Sequence, residues 1–346
     1  MQKNSKLIRY VFIAFMLFTT MFSYYIWQLA KTPNYAVDEK KGFALLIPKG
    51  ASFETVWDSL RVNKIVRDEL SFKFLAKLLK YKEHVKEGRY IIKAKMGNYE
   101  LIQKLRSGEQ DAIKLTFNNI RLKKDLIHKI GNRFSFDSTA LEKVLTDTVT
   151  AQKYGFTNET FMCMFLPNTY EVFWTSTPDE LLATMKTWYD KFWTDERKRK
   201  AQEVGLDPIK AQIMASIVEA ETKKADEKPR VAGVYMNRLR DGMPLGADPT
   251  IIFAHQDFGI KRVTKALLQI DSPYNTYKYI GLPPGPINLP DLASIDAVLN
   301  FEKHDYLYFC AKEDFSGYHN FAVDYTDHLN NARIYQEALN KRNIMR

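Results

Sequence analysis

Two glutamates, Glu219 and Glu221, stand near the end of an apolar run that begins at Asp207. Asp207 suits a helix N-cap and Pro208 the first helical position. Ile213, Met214, Ile217 and Val218 then recur at three- and four-residue spacing, which predicts one apolar stripe along a helix. Glu221 falls on that stripe. Glu219 is rotated from it by roughly 200° at ~100° per residue, among Ala215, Ser216 and Thr222, so a regular helix cannot aim both carboxylates at one ligand. A carboxyl group among apolar side chains has its charged form disfavoured and can hold a proton near neutrality. A general acid requires this. The pattern alone equally admits a helix-end glutamate whose head reaches water or an arginine such as Arg230 or Arg238.

Downstream lie short blocks of turn-formers and sugar-holding side chains: Asp248-Pro-Thr250, Tyr274-Asn-Thr-Tyr277, Gly281 to Ile287, and His319-Asn-Phe321. The Gly/Pro run from Gly281 to Pro286 excludes regular helix and central strand, so an ordered loop is expected there. Tyrosine stacks on sugar rings and asparagine hydrogen-bonds their polar groups. Asn275 and Tyr277 are therefore the expected sugar contacts, with Asp248 and Thr250 shaping the cleft. Asn237 is a further candidate ligand, or, with Arg238, a structural partner of Glu219 or Asp226. The six histidines show no metal-ligand spacing, and neither metal nor cofactor is expected.

A helix, a cleft and their surroundings must come from 346 residues, enough for two or three units. Apolar content of 45% marks a globular chain, and a net charge of +10 admits nucleic acid, an anionic membrane or an acidic polymer as partner. The N-terminus decides among these. Tyr10 to Leu29 carries no formal charge and is long enough to span a bilayer. Lys3, Lys6 and Arg9 precede it, which puts residues 1–9 on the cytoplasmic side and the rest outside; Tyr24, Tyr25 and Trp27 sit where an aromatic belt would be. A cleaved signal peptide is the rival, but Gln28-Leu29-Ala30-Lys31 is a poor cleavage site. Export makes nucleic acid an unsuitable partner. Cys163 and Cys310 either pair or remain buried thiols.

Residues 30–41 read as a tether. Phe43 to Ile47 then predicts a strand, Phe53 to Leu60 a helix, Asp68 to Leu79 a second helix with Leu70, Phe74, Leu75, Leu78 and Leu79 inward, and Gly88 to Ile92 a strand. This β-α-α-β order, opening on Pro48-Lys-Gly-Ala-Ser52, looks like a LysM module, a fold associated with N-acetylglucosamine polymers. The lysine- and arginine-rich stretch from Arg61 to Lys95 is a solvated face or, alternatively, an attraction to anionic headgroups. A strand over Ala112–Phe117 and helices at Leu122–Ile130 and Ser138–Leu145 follow. A strand-like aromatic block from Phe161 to Phe173 comes next, then one helix from Pro178 to about Glu203 and another over Val231–Leu239. The expected fold is α+β: span 10–29, LysM-like module 42–110, connecting segment 111–155 and catalytic domain 156–346.

Ile217-Val-Glu-Ala-Glu-Thr222, Val234-Tyr-Met-Asn-Arg-Leu239, Ala247-Asp-Pro-Thr250, Pro273-Tyr-Asn-Thr-Tyr277 and Gly281-Leu-Pro-Pro-Gly285 resemble, in order and spacing, the signature blocks of the MltG (YceG-like) endolytic murein transglycosylases. One departure is Met162-Cys163, where that family usually has a Glu-Gly-like pair. The resemblance implies cleavage of the β-1,4 bond between N-acetylmuramic acid and N-acetylglucosamine in peptidoglycan strands beside their synthases, leaving 1,6-anhydro ends. One carboxyl group suffices for that, and the pair Glu221-Thr222 matches the Glu-Ser pair of other lytic transglycosylases, so Glu221 is preferred to Glu219. The alternatives are a muramidase-type hydrolase of the same bond and a non-catalytic wall-binding scaffold.

Overall fold

The computed structural model describes residues 2–342. Met1, in the expected cytoplasmic tail, and residues 343–346, in the expected catalytic domain, lie outside the described residues. The chain forms two compact units of mixed α+β structure. One holds the chain as far as Lys114 with Arg133–Ser135 and Glu171–Ser176; the other holds Leu115–Asn132, Phe136–Tyr170 and the chain from Thr177 onward.

The first unit opens with helix α1 (Gln2–Lys31), long and apolar enough to cross a membrane. β1 (Phe43–Ile47), α2 (Phe53–Val62), α3 (Glu69–Leu78), β2 (Gly88–Ile92) and α4 (Asn98–Ser107) follow. β1 and β2 pair antiparallel from Phe43↔Ile92 to Ile47↔Gly88. Their inward residues Leu45, Ile47, Tyr90 and Ile92 join Trp57, Phe72 and Leu101 in one core. Ser52 caps α2 by accepting from the Thr55 amide, as its sequence position suggests.

Two expectations fail in this unit. α3 turns Ser71, Phe72, Leu75 and Ala76 inward and leaves Leu70, Phe74 and Leu78 exposed. Ser71 is drawn in by a polar cluster, and the helix rotates with it. The residues read as a tether are not free either. Asn34 and Tyr35 are buried, and Asn34 donates to Asp68 O and Asn98 Oδ1, both at 2.9 Å. Asn98 also accepts from the Tyr35 hydroxyl at 3.0 Å, and donates to Ser71 Oγ at 2.8 Å and to Leu29 O, on α1, at 3.2 Å. Gly97 permits this junction, since a Cβ there would stand 2.5 Å from Ala30 O.

The remaining elements are β3 (Ile113–Phe117), α5 (Lys123–Ile130), α6 (Ser138–Thr146), α7 (Thr148–Lys153), β4 (Asn168–Val172), α8 (Pro178–Phe192), α9 (Asp195–Glu203), α10 (Pro208–Glu221), α11 (Lys228–Arg240), α12 (Asp248–His255), α13 (Leu292–Leu299), β5 (Tyr308–Ala311), β6 (His319–Ala322) and α14 (Tyr325–Lys341). β3 pairs with β4, and β5 pairs antiparallel with β6. The single helix expected from Pro178 is two, because Thr194 caps α9 by accepting from the Arg197 amide. The aromatic block is strand only over β4; Phe161–Met164 forms a 3-10 turn. At the centre of the second unit α10 packs against α9, α11, α12 and α13.

Candidate active site

Helix α10 begins where Asp207 accepts from the Lys210 amide at 2.8 Å, with Pro208 in the first turn. From Ala211 to Val218 every residue is buried. The helix is therefore not a one-stripe element: small and polar residues on its second face, Ala215 and Ser216, are covered as fully as Ile217. Gln212 is accommodated because it donates to Cys163 O at 2.9 Å and accepts from the Trp193 indole. That contact uses the segment where Met162-Cys163 departs from the family pattern. Both cysteines are free thiols.

The helix ends at Glu221, and here the two glutamates part. Glu219 meets the Lys228 ammonium at 2.9 Å and accepts from the Ser294 hydroxyl; Lys228, with only 7% of its side chain exposed, also bridges to Asp291 at 3.0 Å. Among the described residues no cation is in hydrogen-bond contact with Glu221. Its Oε1 accepts from the Tyr235 hydroxyl of α11 at 2.5 Å. Burial raises its pKa to about 7; Tyr235 and Arg238 pull it down, and the Asp248 charge pushes it up. Burial likewise holds the Tyr235 hydroxyl well above the ordinary range, so tyrosine is the donor in this pair. The alternative partners for Glu221 are engaged elsewhere. Arg230 pairs with Glu302 at 3.0 Å, and Arg238 donates to Leu307 O and Leu245 O.

Thr222, next in the chain, is buried and donates to Glu227 at 3.2 Å. Glu227, itself 4% exposed, accepts from the His319 amide at 2.8 Å and meets the His319 ring Nδ1 at 2.7 Å. The end of α10 is thus pinned to β6.

Glu221 opens into a cleft of about 410 Å³ whose walls include Tyr235, Arg238, Asp248, Tyr277, Tyr308 and His319. Asp248 and Tyr277 come together there, the tyrosine hydroxyl donating to the carboxylate at 2.5 Å. Three other expected contacts do not reach the cleft. Asn275 is fully buried, donating to Leu268 O and Ile270 O and accepting from the amides of Tyr277 and Lys278. Thr250 is also fully buried, donating to Ala247 O and sharing a hydrogen bond with the Thr276 hydroxyl. Asn237 donates to His304 O and Tyr306 O, and the hydrogen bonds of Arg238 go to Leu307 O and Leu245 O rather than to Glu219 or Asp226. These three hold the wall in shape.

The sequence blocks are bonded to one another. The Gly246 amide donates to Thr276 O and the Ala247 amide to the Thr276 hydroxyl, both at 3.0 Å. Gly246 has φ +60, and a Cβ there would stand 3.1 Å from the Arg238 guanidinium. Sequence reasoning missed Tyr235 and Glu227. The first reads as an inward apolar residue of α11; the second carries no spacing relation to His319, far along the chain. Among the described residues no three His, Cys, Asp or Glu side chains gather as a metal would require.

The profile of the YceG-like family matches residues 45–334. The chain is 31% identical over 302 residues to a Bacillus subtilis protein named endolytic murein transglycosylase, covering 80% of this chain and 81% of that one. A Streptococcus pneumoniae protein of the same name is 28% identical over 338 residues, covering 86% of this chain and 60% of that longer one. The crystal structure of a YceG-like protein from Listeria monocytogenes superposes with a TM-score of 0.56 at 25% identity, covering 84% of this chain and 99% of that one.

Proposed function

The chain belongs to the YceG-like family, and from that premise we propose that it is a peptidoglycan lytic transglycosylase with Glu221 as its acid and base. The reading rests on one observation above all: a carboxyl group with a pKa of about 7, in the wall of an open cleft, held by a tyrosine hydroxyl rather than by a cation. Protonated Glu221 gives its proton to the oxygen leaving the muramic acid C1. The C6 hydroxyl of the same sugar attacks C1, and the Glu221 carboxylate takes the hydroxyl proton. No water is consumed, and a 1,6-anhydro end results. Tyr277 and Asp248 meet the sugars, with Asn275, Thr250 and Asn237 supporting the loops behind them.

A muramidase-type hydrolysis is the second reading, and Asp248 is the observation that favours it. It is a second carboxylate on the same cleft, and hydrolases place two across the bond. Its engagement by Tyr277 favours the water-free route. Mass spectrometry of the fragments released from sacculi separates the two: anhydro ends support the transglycosylase, reducing ends the hydrolase. Glu221→Gln abolishes release, by roughly a hundredfold or more for a lost general acid, while the variant still binds glycan; normal digestion by this variant refutes the assignment.

α1 anchors the protein in the cytoplasmic membrane, with Lys6 and Arg9 inside and the catalytic domain outside. The order β1, α2, α3, β2 supports a LysM-like module over 42–110 that meets the glycan, followed by a connecting segment 111–155 and a catalytic domain 156–346. An anchored enzyme of this kind meets strands beside the synthases that make them.

A further inference from the structure

A second hollow, of about 150 Å³, shares two elements with the catalytic cleft. Glu219, Ala220 and Lys223 of the α10 end and Pro249 of α12 line it, while the neighbouring Glu221 and Asp248 line the cleft. The two hollows share the end of α10 and the start of α12 on different faces, so whatever links them must extend beyond a single sugar.

Its lining includes an unpaired hydrogen-bond acceptor. Asn288 is 9% exposed, and its Nδ2 donates to Ser216 O at 2.8 Å, which fixes which way the amide faces. Oδ1 is left buried without a partner. An acceptor left so is costly, and an incoming N–H relieves it. The rim is cationic. The Arg121 guanidinium lies 4.6 Å from the Phe258 ring centroid, and the Lys223 ammonium bonds only the Glu219 main-chain carbonyl at 3.3 Å. Neither has a carboxylate partner among the described residues. Glu219, the one acidic side chain in the lining, is already held by Lys228. Phe253 and Phe258 supply apolar walls.

An acceptor for N–H, two unpaired cations and two phenyl rings complement a group that carries amide, carboxylate and short apolar parts. A neutral N-acetylhexosamine has no use for the cations. We infer that the hollow binds the lactyl peptide carried by muramic acid, with a peptide N–H on Asn288 Oδ1 and a carboxylate between Arg121 and Lys223. The inference rests on the peptidoglycan reading above and extends it: the enzyme distinguishes peptide-bearing from naked strands.

The test uses the full chain carrying Glu221→Gln, titrated with a disaccharide peptide and with the same disaccharide after amidase removal of the peptide. The peptide-bearing ligand binds about tenfold tighter or better. Adding Arg121→Gln and Lys223→Gln, both at exposed positions, erases that preference and leaves the naked disaccharide's affinity unchanged. Equal affinity of the two ligands for the parent overturns the inference, as does a double variant that weakens both ligands alike. Digestion by the parent chain is scored separately. Strands cut without peptide preference refute this inference alone, whereas a peptide preference in binding without any strand cleavage refutes the catalytic reading and leaves the site standing.

Discussion

Glu219 and Glu221 show how two identical side chains, two residues apart, acquire different chemistry from what they touch. One is bound to a lysine and a serine; the other faces a cleft with a tyrosine hydroxyl as its hydrogen-bond donor. On the proposed role of Glu221 as general acid, turnover falls as pH rises through about 7. Tyr235→Phe removes a hydrogen bond that stabilises the carboxylate, so Glu221 holds its proton to higher pH and the falling limb of the pH–rate profile moves upward. A limb that stays put, or moves down, contradicts that account. The sequence foretold the separation of the two glutamates, because helical rotation is a local rule. It did not foretell the buried places of Asn275, Thr250 and Asn237, whose polar atoms are filled by groups outside their own blocks or by loop backbone. Residue type announces a capacity to bond sugar; only the fold decides whether that capacity is already taken.

At the scale of elements, local signals held best where they depend on neighbouring residues. The caps at Ser52 and Asp207 are where the sequence puts them. Facing is a longer-range matter, and it misled twice. α3 has apolar residues on more than one side, and the polar cluster around Ser71 selects the face that turns in. From Ala211 to Val218 α10 is buried all round, among four helices and the Phe161–Met164 turn, so its stripe says little about where solvent lies. The bridge from α10 through Lys228 to Asp291, just before α13, ties three elements with one nearly buried ammonium. Lys228→Met leaves Glu219 and Asp291, both partly exposed, without their cation, and the expected loss of stability is roughly 1–3 kcal/mol, read as a lower midpoint in urea unfolding. A midpoint within experimental error of the parent's shows that the bridge holds nothing together.

For the molecule as a whole, the feature with the widest reach is the polar knot around Asn98 where α1 meets the rest of the first unit. The expectation of a loose tether came from Pro33, Asn34 and the charged run to Lys41, and composition could not reveal that Asn34 and Tyr35 are buried. In vesicle-inserted protein the segment from Lys31 to Val37 resists trypsin and chymotrypsin, and Asn98→Ala opens it to cutting; equal sensitivity in both proteins contradicts the knot. The junction also limits geometry. A module on a leash samples a hemisphere of positions above the bilayer, whereas one bolted to the stub of its own anchor tilts only when the anchor tilts. With α1 as the proposed anchor, thickness or curvature of the lipid becomes a variable that this first unit feels directly, and the height at which it stands over the membrane is set by side chains rather than by the length of a linker.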